Sequence, residues 1–583
     1  MHNKQWVELR KGADYPSICK KIDISPVLAR LIRNRGICDQ TAIENYLYGS
    51  LSMLADPDQL PDMEEAAGLM ADAIDAGAPV RIIGDYDVDG VCATYCLLEA
   101  LKRLGAQVDA DIPDRKQDGY GINNRLIEQA VRDGIEVIVT CDNGIGAHEA
   151  VRSAVDQGLS VIVTDHHEVG SEGLPQADAV IDPKREDSDF PEREICGAAV
   201  AWQAMRGLYR RIGRDADELN ELLPFVALAT VCDVVPLIGD SRIVVREGIK
   251  RIRETDHAGL SALIEACGVE RDKISAYHLG FILGPCINAC GRMTSARDAL
   301  NLLCEEDPER AAKKASLVRM LNERRKQLTD NGLEEALAVA EEAAERGDKV
   351  LVLTVPSCDE SVAGIVAGRI KEAYYRPSIL LTGEKEGLCK GSGRSVTGYD
   401  LFGALNANAD LFEKFGGHEQ AAGLTIREDR IDQLREALNG PQAPAEELLR
   451  EKLMIDMVLP FQMCTLAQAE ELLKLEPCGM SNKRALFATR HVVIRRARLF
   501  GRERQVLSLD MTDPAGQSMK GIVFSDVPQL IERIRQETGV MITEDTPDKV
   551  GSIRLTVAYT LGINEYAGER SAQAVVRDVL IES

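Results

Sequence analysis

Three short segments place acidic and imidazole side chains where apolar runs end. Asp85-Tyr86-Asp87-Val88-Asp89-Gly90 follows Val80–Gly84, Cys141-Asp142-Asn143-Gly144 follows Val137–Thr140, and Asp165-His166-His167 follows Val161–Thr164. Converging carboxylates repel one another once they leave water, unless cations neutralise them. Hard oxygen donors mixed with imidazole suit manganese or magnesium, so the pattern is that of a site for two divalent cations. Taken alone, the first hexapeptide also reads as an acidic turn of calcium-loop character. The full calcium-loop signature needs a later glutamate at fixed spacing, and here Glu99 and Ala100 lie inside a helical pattern. Asp233 joins the candidates because it closes the apolar stretch Phe225–Val231, where an isolated carboxylate needs a partner.

These residues need a frame. From Pro79 onward, short β-branched runs alternate with helical ones: strands at Val80–Gly84, Val108–Ile112, Val137–Thr140 and Val161–Thr164, and helices at Cys92–Leu104, Arg125–Arg132 and Ala147–Asp156. That alternation predicts an α/β domain with a doubly wound parallel sheet. Its ligand site is then expected at the carboxyl ends of the strands, where the acidic segments fall.

The rest of the chain divides by composition. Residues 1–75 read as an N-terminal helical lead-in with amphipathic stretches at Ser25–Asn34 and Gln40–Tyr46, and residues 76–306 as the α/β domain. Residues 307–346, rich in Ala, Glu, Lys and Arg, predict a long connector helix. A smaller α/β lobe follows over 347–440, and residues 454–583 read as short strands forming an oligonucleotide-binding-type β-barrel. With 583 residues, several cores are required.

A formal net charge of −25 excludes long-range attraction of a polyanion by the whole molecule, so any nucleic acid must be held locally. One local source is the basic group Lys483, Arg484, Arg490, Arg495, Arg496, Arg498, Arg502 and Arg504. It reads either as a solvated strand face or as a track for a single strand. No stretch approaches the ~18 apolar residues of a membrane span, which favours a cytoplasmic protein. The fifteen cysteines form no Cys-x-x-Cys pair, the tightest spacing being Cys286 with Cys290, and read as reduced, mostly buried thiols.

The succession Asp-Tyr-Asp-Val-Asp-Gly, Asp142-Asn143-Gly144, Asp165-His166-His167 and Asp233 resembles the DHH phosphoesterase superfamily. Further segments narrow the resemblance to its single-strand exonuclease branch. They are Pro113-x-Arg115 with Gly119-Tyr120-Gly121, Asn288-Ala289-Cys290-Gly291-Arg292, Gly364–Arg369, Gly391-Ser392-Gly393-Arg394-Ser395 and Gly416-Gly417-His418. The resemblance implies that Asp87, Asp89, Asp142, His166 and Asp233 hold two Mn²⁺ or Mg²⁺ ions, with Asp85 a ligand or a support for the ligands. It implies that His167 faces the scissile phosphate, oriented by Asp165. It also implies a 5′-phosphate pocket of Arg115, Ser392 and Arg394, a phosphate donor at Gly417 and His418, and strand contacts from Tyr120, Asn288, Arg292, Arg369 and Gly393.

Relatives usually carry Trp-His ahead of the Gly-Ile-Val-Ala run, where this chain has Cys358-Asp359-Glu360-Ser361. The implied activity is 5′→3′ hydrolysis of single-stranded DNA in repair and recombination, by a monomer working with single-strand-binding protein and a helicase. Two other readings are a phosphodiesterase for short oligonucleotides or cyclic dinucleotides and a non-enzymatic replication scaffold. The relatives with the first activity are usually much shorter, and the scaffold would have lost metal ligands that this chain retains.

Overall fold

The computed structural model describes residues 4–115, 119, 121–385, 387–501, 505–543, 545–547, 553–566 and 568–582. Tyr120, Arg502 and Arg504 lie outside the described residues. The first lobe is built on a five-stranded sheet, parallel throughout, in the order Val108–Asp111, Val80–Ile83, Val137–Cys141, Ser160–Thr164, Ala179–Ile181. Val80–Ile83 and Val137–Cys141 are buried at every position, as expected of parallel strands covered by helices on both faces. The chain winds one way from Val80–Ile83 and the other way from Val137–Cys141. The crevice between their carboxyl ends is therefore the topological switch point, where open α/β sheets bind ligands.

The helix Pro308–Glu345 runs unbroken for 38 residues, about 57 Å at 1.5 Å per residue. Asp307 caps it, accepting the Arg310 amide at 2.8 Å. Its first half packs on helices of the first lobe and its second half on the smaller lobe, so one rigid element fixes the spacing of both. The smaller lobe carries a five-stranded mixed sheet in which Leu388–Arg394 lies between Ser378–Lys385 and Ala421–Arg427.

The C-terminal strands Phe487–Phe500, Val506–Thr512, Ser518–Val523, Glu569–Glu582 and Arg554–Tyr566 pair in that order, and the last returns to the first, closing a five-stranded barrel. The N-terminal stretch is divided between two cores. Leu28, Leu31 and Ile32 of the helix Pro26–Asn34 share the barrel core with Phe487 and Tyr559. The helix Met63–Ala76 instead packs into the first lobe through Met63, Ala66 and Met70. A strand unforeseen from the sequence, Gln5–Glu8, pairs with Lys452–Ile455. All fifteen cysteines are free thiols, nine of them buried. Among the described residues, no helix is long and apolar enough to cross a membrane.

Candidate metal centre and phosphate pocket

Each acidic segment is held by its local fold. Asp87 caps the helix Val88–Arg103, accepting the Gly90 amide at 3.1 Å, and the neighbouring Val88 amide donates to Asn288 Oδ1 at 3.1 Å. Asp142 takes a left-handed conformation with φ 61°. The following Asn143 fixes that turn, donating to the carbonyls of Ile83 at 3.1 Å and Cys141 at 2.8 Å while accepting the Ile122 amide at 3.0 Å. Asp165 is buried and accepts the amides of Ile145, His166 and His167 together with His167 Nδ1, the last at 2.7 Å. Asp233 caps the helix Leu223–Cys232 at its carboxyl end.

Together these side chains form two donor groups, linked by a third made of Asp142, Asp165, His166 and His167. One oxygen each of Asp85, Asp87 and Asp142 lie within 4.8 Å of one another, and so do donor atoms of Asp89, His166 and Asp233. His166 Nε2 joins the groups, 3.0 Å from Asp142 Oδ1 and 3.7 Å from Asp89 Oδ2, while its Nδ1 lies 3.8 Å from Asp233. Burial, reinforced by Asp87, pushes the Asp85 carboxyl up to about 8 and that of Asp89 to about 7. Burial and the charge of Asp89 raise Asp233 to about 7, and burial followed by four neighbouring carboxylates drives Asp142 upward. Among the described residues Asp85 Oδ1 is buried without a hydrogen-bond partner, a costly arrangement unless something else satisfies it. An orphaned oxygen among crowded carboxylates, joined by an imidazole, is a donor set that fits Mn²⁺ or Mg²⁺.

His167 differs from its neighbour. Burial opposes its charge, but the bond to Asp165 prevails and raises it to about 9, whereas burial lowers His166. The side chain of His167 keeps 46% of its exposure, and the bond to Asp165 favours its charged form.

Residues absent from the sequence-based set complete this edge. Gly197 and Ala198, at the start of the helix Gly197–Arg211, donate to Asp89 at 2.6 and 2.7 Å. Asp182, after the fifth strand, is buried with one oxygen unpaired among the described residues and is raised to about 7 by burial and Asp165. An Asp-Pro-Lys turn carries no distinctive signal, and small residues at a helix start look like packing.

A second site opens beside Tyr86, the residue between Asp85 and Asp87. The Arg115 guanidinium lies 5.4 Å from its ring centroid and lines a cavity of about 540 Å³ with Arg292, Gly364, Lys390, Ser392, Arg394 and Lys414. Arg394 donates to Ser392 Oγ at 3.4 Å and to the Gly393 carbonyl at 2.7 Å. A Cβ on Gly364 would sit 2.7 Å from Arg394, so glycine is what lets this pair approach the helix Ala363–Tyr374. Burial and Arg115 depress Arg394, and burial followed by Arg115 and Arg325 brings Arg292 to about 10. Crowded, partly desolvated guanidiniums form an anion site.

Lys390 and Lys414 are additions the sequence did not reveal, because cations on alternating strands read as solvated. Arg369 stands on the helix Ala363–Tyr374 near Arg325. Gly393 turns toward Leu401, and His418 is exposed, its Nδ1 accepting the Gln420 amide at 3.3 Å. Neither Gly417 nor His418 lines the cavity among the described residues. Cys358 is buried against Gly332 of the connector helix, while Asp359 caps the turn Glu360–Val362. Ser361 in that turn accepts from Arg292 at 3.0 Å. The segment that replaces Trp-His thus holds an arginine of the pocket in place.

A carboxylate–histidine cluster at the switch point, beside a guanidinium pocket formed with a second lobe, defines a DHH-type phosphoesterase. Residues 79–230 match the model of the DHH family, N-terminal domain, residues 347–440 the DHHA1 domain, and residues 455–578 the RecJ OB domain. The chain is 33% identical over 602 residues to the single-stranded-DNA-specific exonuclease RecJ of Escherichia coli, covering 99% of each. It is 31% identical to that of Bacillus subtilis, covering 97% of this chain and 69% of the relative. The crystal structure of RecJ from Thermus thermophilus in complex with Mn²⁺ superposes with a TM-score of 0.81 at 27% identity, over 99% of this chain and 80% of that one. The chain belongs to the RecJ family.

Proposed function

We propose that this protein is a single-stranded-DNA-specific 5′→3′ exonuclease that hydrolyses phosphodiester bonds with two divalent cations, Mn²⁺ or Mg²⁺, in repair and recombination. One observation carries the reading: Arg115, which lines the arginine pocket, lies over the ring of Tyr86, the residue between the metal-binding candidates Asp85 and Asp87. A terminal phosphate held by Arg115, Ser392 and Arg394 fixes the strand end, so the bond presented to the cluster is counted from the 5′ side.

Asp85, Asp87, Asp89, Asp142, His166 and Asp233 hold the cations, which when bound supply Lewis acidity toward the phosphate and a lowered pKa for attacking water. His167, charged and pinned by Asp165, donates from Nε2 to a non-bridging phosphate oxygen and strengthens that contact as charge builds. Asn288 holds the Val88 amide and so fixes the first acidic turn. Tyr120, Arg292, Arg369, Gly393, Gly417 and His418 complete the set assigned to the strand.

Downstream nucleotides have a surface to follow. A cavity of about 1020 Å³ at the seam between the first lobe and the barrel carries Tyr277 and Phe281, stacked with centroids 5.0 Å apart, and Arg246, Lys250, Arg253, Lys483, Arg484 and Arg577. Exposed aromatics with cations suit sequence-tolerant stacking of bases. The protein works as a cytoplasmic monomer, with a helicase and single-strand-binding protein presenting the strand. End-labelled single strands incubated with purified protein and Mn²⁺ test this reading. Short products released from the 5′ end support it; duplex cleavage at equal rate or 3′-end release would sink it.

A further inference from the structure

Cys286 lies in the helix Gly284–Met293, which also carries Asn288 and Arg292. Its nearest cysteine in sequence is Cys290, but in space it meets Cys267, the half-buried residue closing the helix Ala258–Ala266, with Sγ–Sγ 3.6 Å. Both helices pack on the connector helix, which supplies the surroundings of the pair. Asn322 Nδ2 donates to Cys286 Sγ at 3.3 Å, and Arg319 bonds the carbonyl of Ala266 beside Cys267.

We infer that Cys267 and Cys286 form a dithiol that hydroperoxides oxidise to a disulfide, and that this bond slows the nuclease. Only the second half rests on the function proposed above. The S–H of Cys286 foremost, then Arg319 and Lys326, lower the Cys267 thiol below its ordinary value, whereas the same contact and burial raise Cys286. Cys267, half-buried and beside Arg319 where Cys286 is buried, is therefore the attacking thiolate and Cys286 the resolving thiol.

In the first step the Cys267 sulfur takes an oxygen from the hydroperoxide, the O–O bond breaks, and the thiol proton leaves with the other oxygen as water or alcohol. In the second step the Cys286 sulfur attacks the Cys267 sulfenic acid, displacing hydroxide, which takes up the Cys286 proton as water. Two thiols are oxidised and one peroxide is reduced. Closure to the ~2.05 Å of a disulfide draws Cys286 toward Cys267 by about 1.5 Å. That displaces the helix bearing Asn288, which holds the first acidic turn, and Arg292, which bridges to Ser361.

The full-length chain is treated with hydrogen peroxide, with and without later dithiothreitol. Non-reducing peptide mapping and the rate on single-stranded DNA are then read. The expected result is a cross-link between the peptides containing Cys267 and Cys286, with the rate falling about tenfold, since misplacement on the order of 1 Å near reacting groups costs up to about 100-fold. Dithiothreitol should restore the rate. Cys267→Ser and Cys267→Ala should keep the basal rate and lose the peroxide response. Peroxide-treated protein in which both thiols stay alkylatable, or a cross-linked chain with an unchanged rate, overturns the inference. The map needs no nuclease assay, so a chain inactive before oxidation counts against the function while the map still decides the dithiol.

Discussion

The 3.0 Å contact between Asp142 and His166 joins the two candidate donor groups. Removing Asp142 opens the first group and removing His166 the second, so Asp142→Ala and His166→Ala should each abolish hydrolysis while preserving the circular-dichroism spectrum; near-normal rates in a folded variant would discard the two-cation site. Arg394→Ala tests polarity. A lost charge-assisted contact to phosphate costs on the order of 1.5–3 kcal/mol, so the variant should slow on 5′-phosphorylated strands by about tenfold or more and change little on 5′-hydroxyl strands. Equal slowing on both ends would detach Arg394 from the terminal phosphate. The chemistry of these residues is legible in the sequence because each acidic group follows an apolar run. Asp182 follows the same rule after Ala179–Ile181, yet a strand of three residues is too short to signal itself.

The elements explain what residue patterns leave hidden. Asp89 depends on the helix Gly197–Arg211, whose first amides it accepts, more than a hundred residues away in the chain. Long-range pairing of a carboxylate with a helix start has no local signature. Gly197 has a second role at that point: a Cβ there would lie 2.6 Å from Asp142 Cβ and 2.9 Å from its Cα. Gly197→Ala should therefore push Asp142 out of line and weaken Mn²⁺ binding by about 10–100-fold, the usual loss when a ligand's support is disturbed. Calorimetric titration with Mn²⁺ reads this directly, and unchanged affinity would mean that the turn yields without cost. The strand–helix alternation itself is plain from hydrophobic spacing, and the observed boundaries differ from it by a few residues at most, as helix ends fray or extend into a cap.

At the scale of the molecule, lobe spacing is set by contacts that composition does not reveal. Arg242 of the first lobe is buried and donates to the carbonyls of Tyr46, Lys474, Leu475, Glu476 and Pro477, tying the barrel and the N-terminal helices to the catalytic frame. Because the N-terminal helices complete the barrel core, deleting residues 454–583 would strip Leu28, Leu31 and Ile32 of their cover. Single substitutions at Lys483 or Arg484 are the better probe of the strand path.

The same whole-molecule view yields a pH dependence. Asp85, Asp89, Asp142 and Asp233 are all raised from an unfolded value of about 4. Between there and about 8 the folded state holds protons that the unfolded chain has released, so stability falls as pH rises. His167, raised to about 9 and stabilising while charged, loses its contribution in the upper part of that window and acts in the same direction. His166, lowered by burial, opposes it with a single proton. The metal-free chain should thus melt at progressively lower temperature from about pH 5 to pH 8. Mn²⁺ meets fewer competing protons as pH rises, so the increase in Tm it produces should grow over the same range. Thermal melts with and without Mn²⁺ across that range measure both trends, and a metal-free Tm that rises toward pH 8 would show that these carboxyls are not held above their unfolded values.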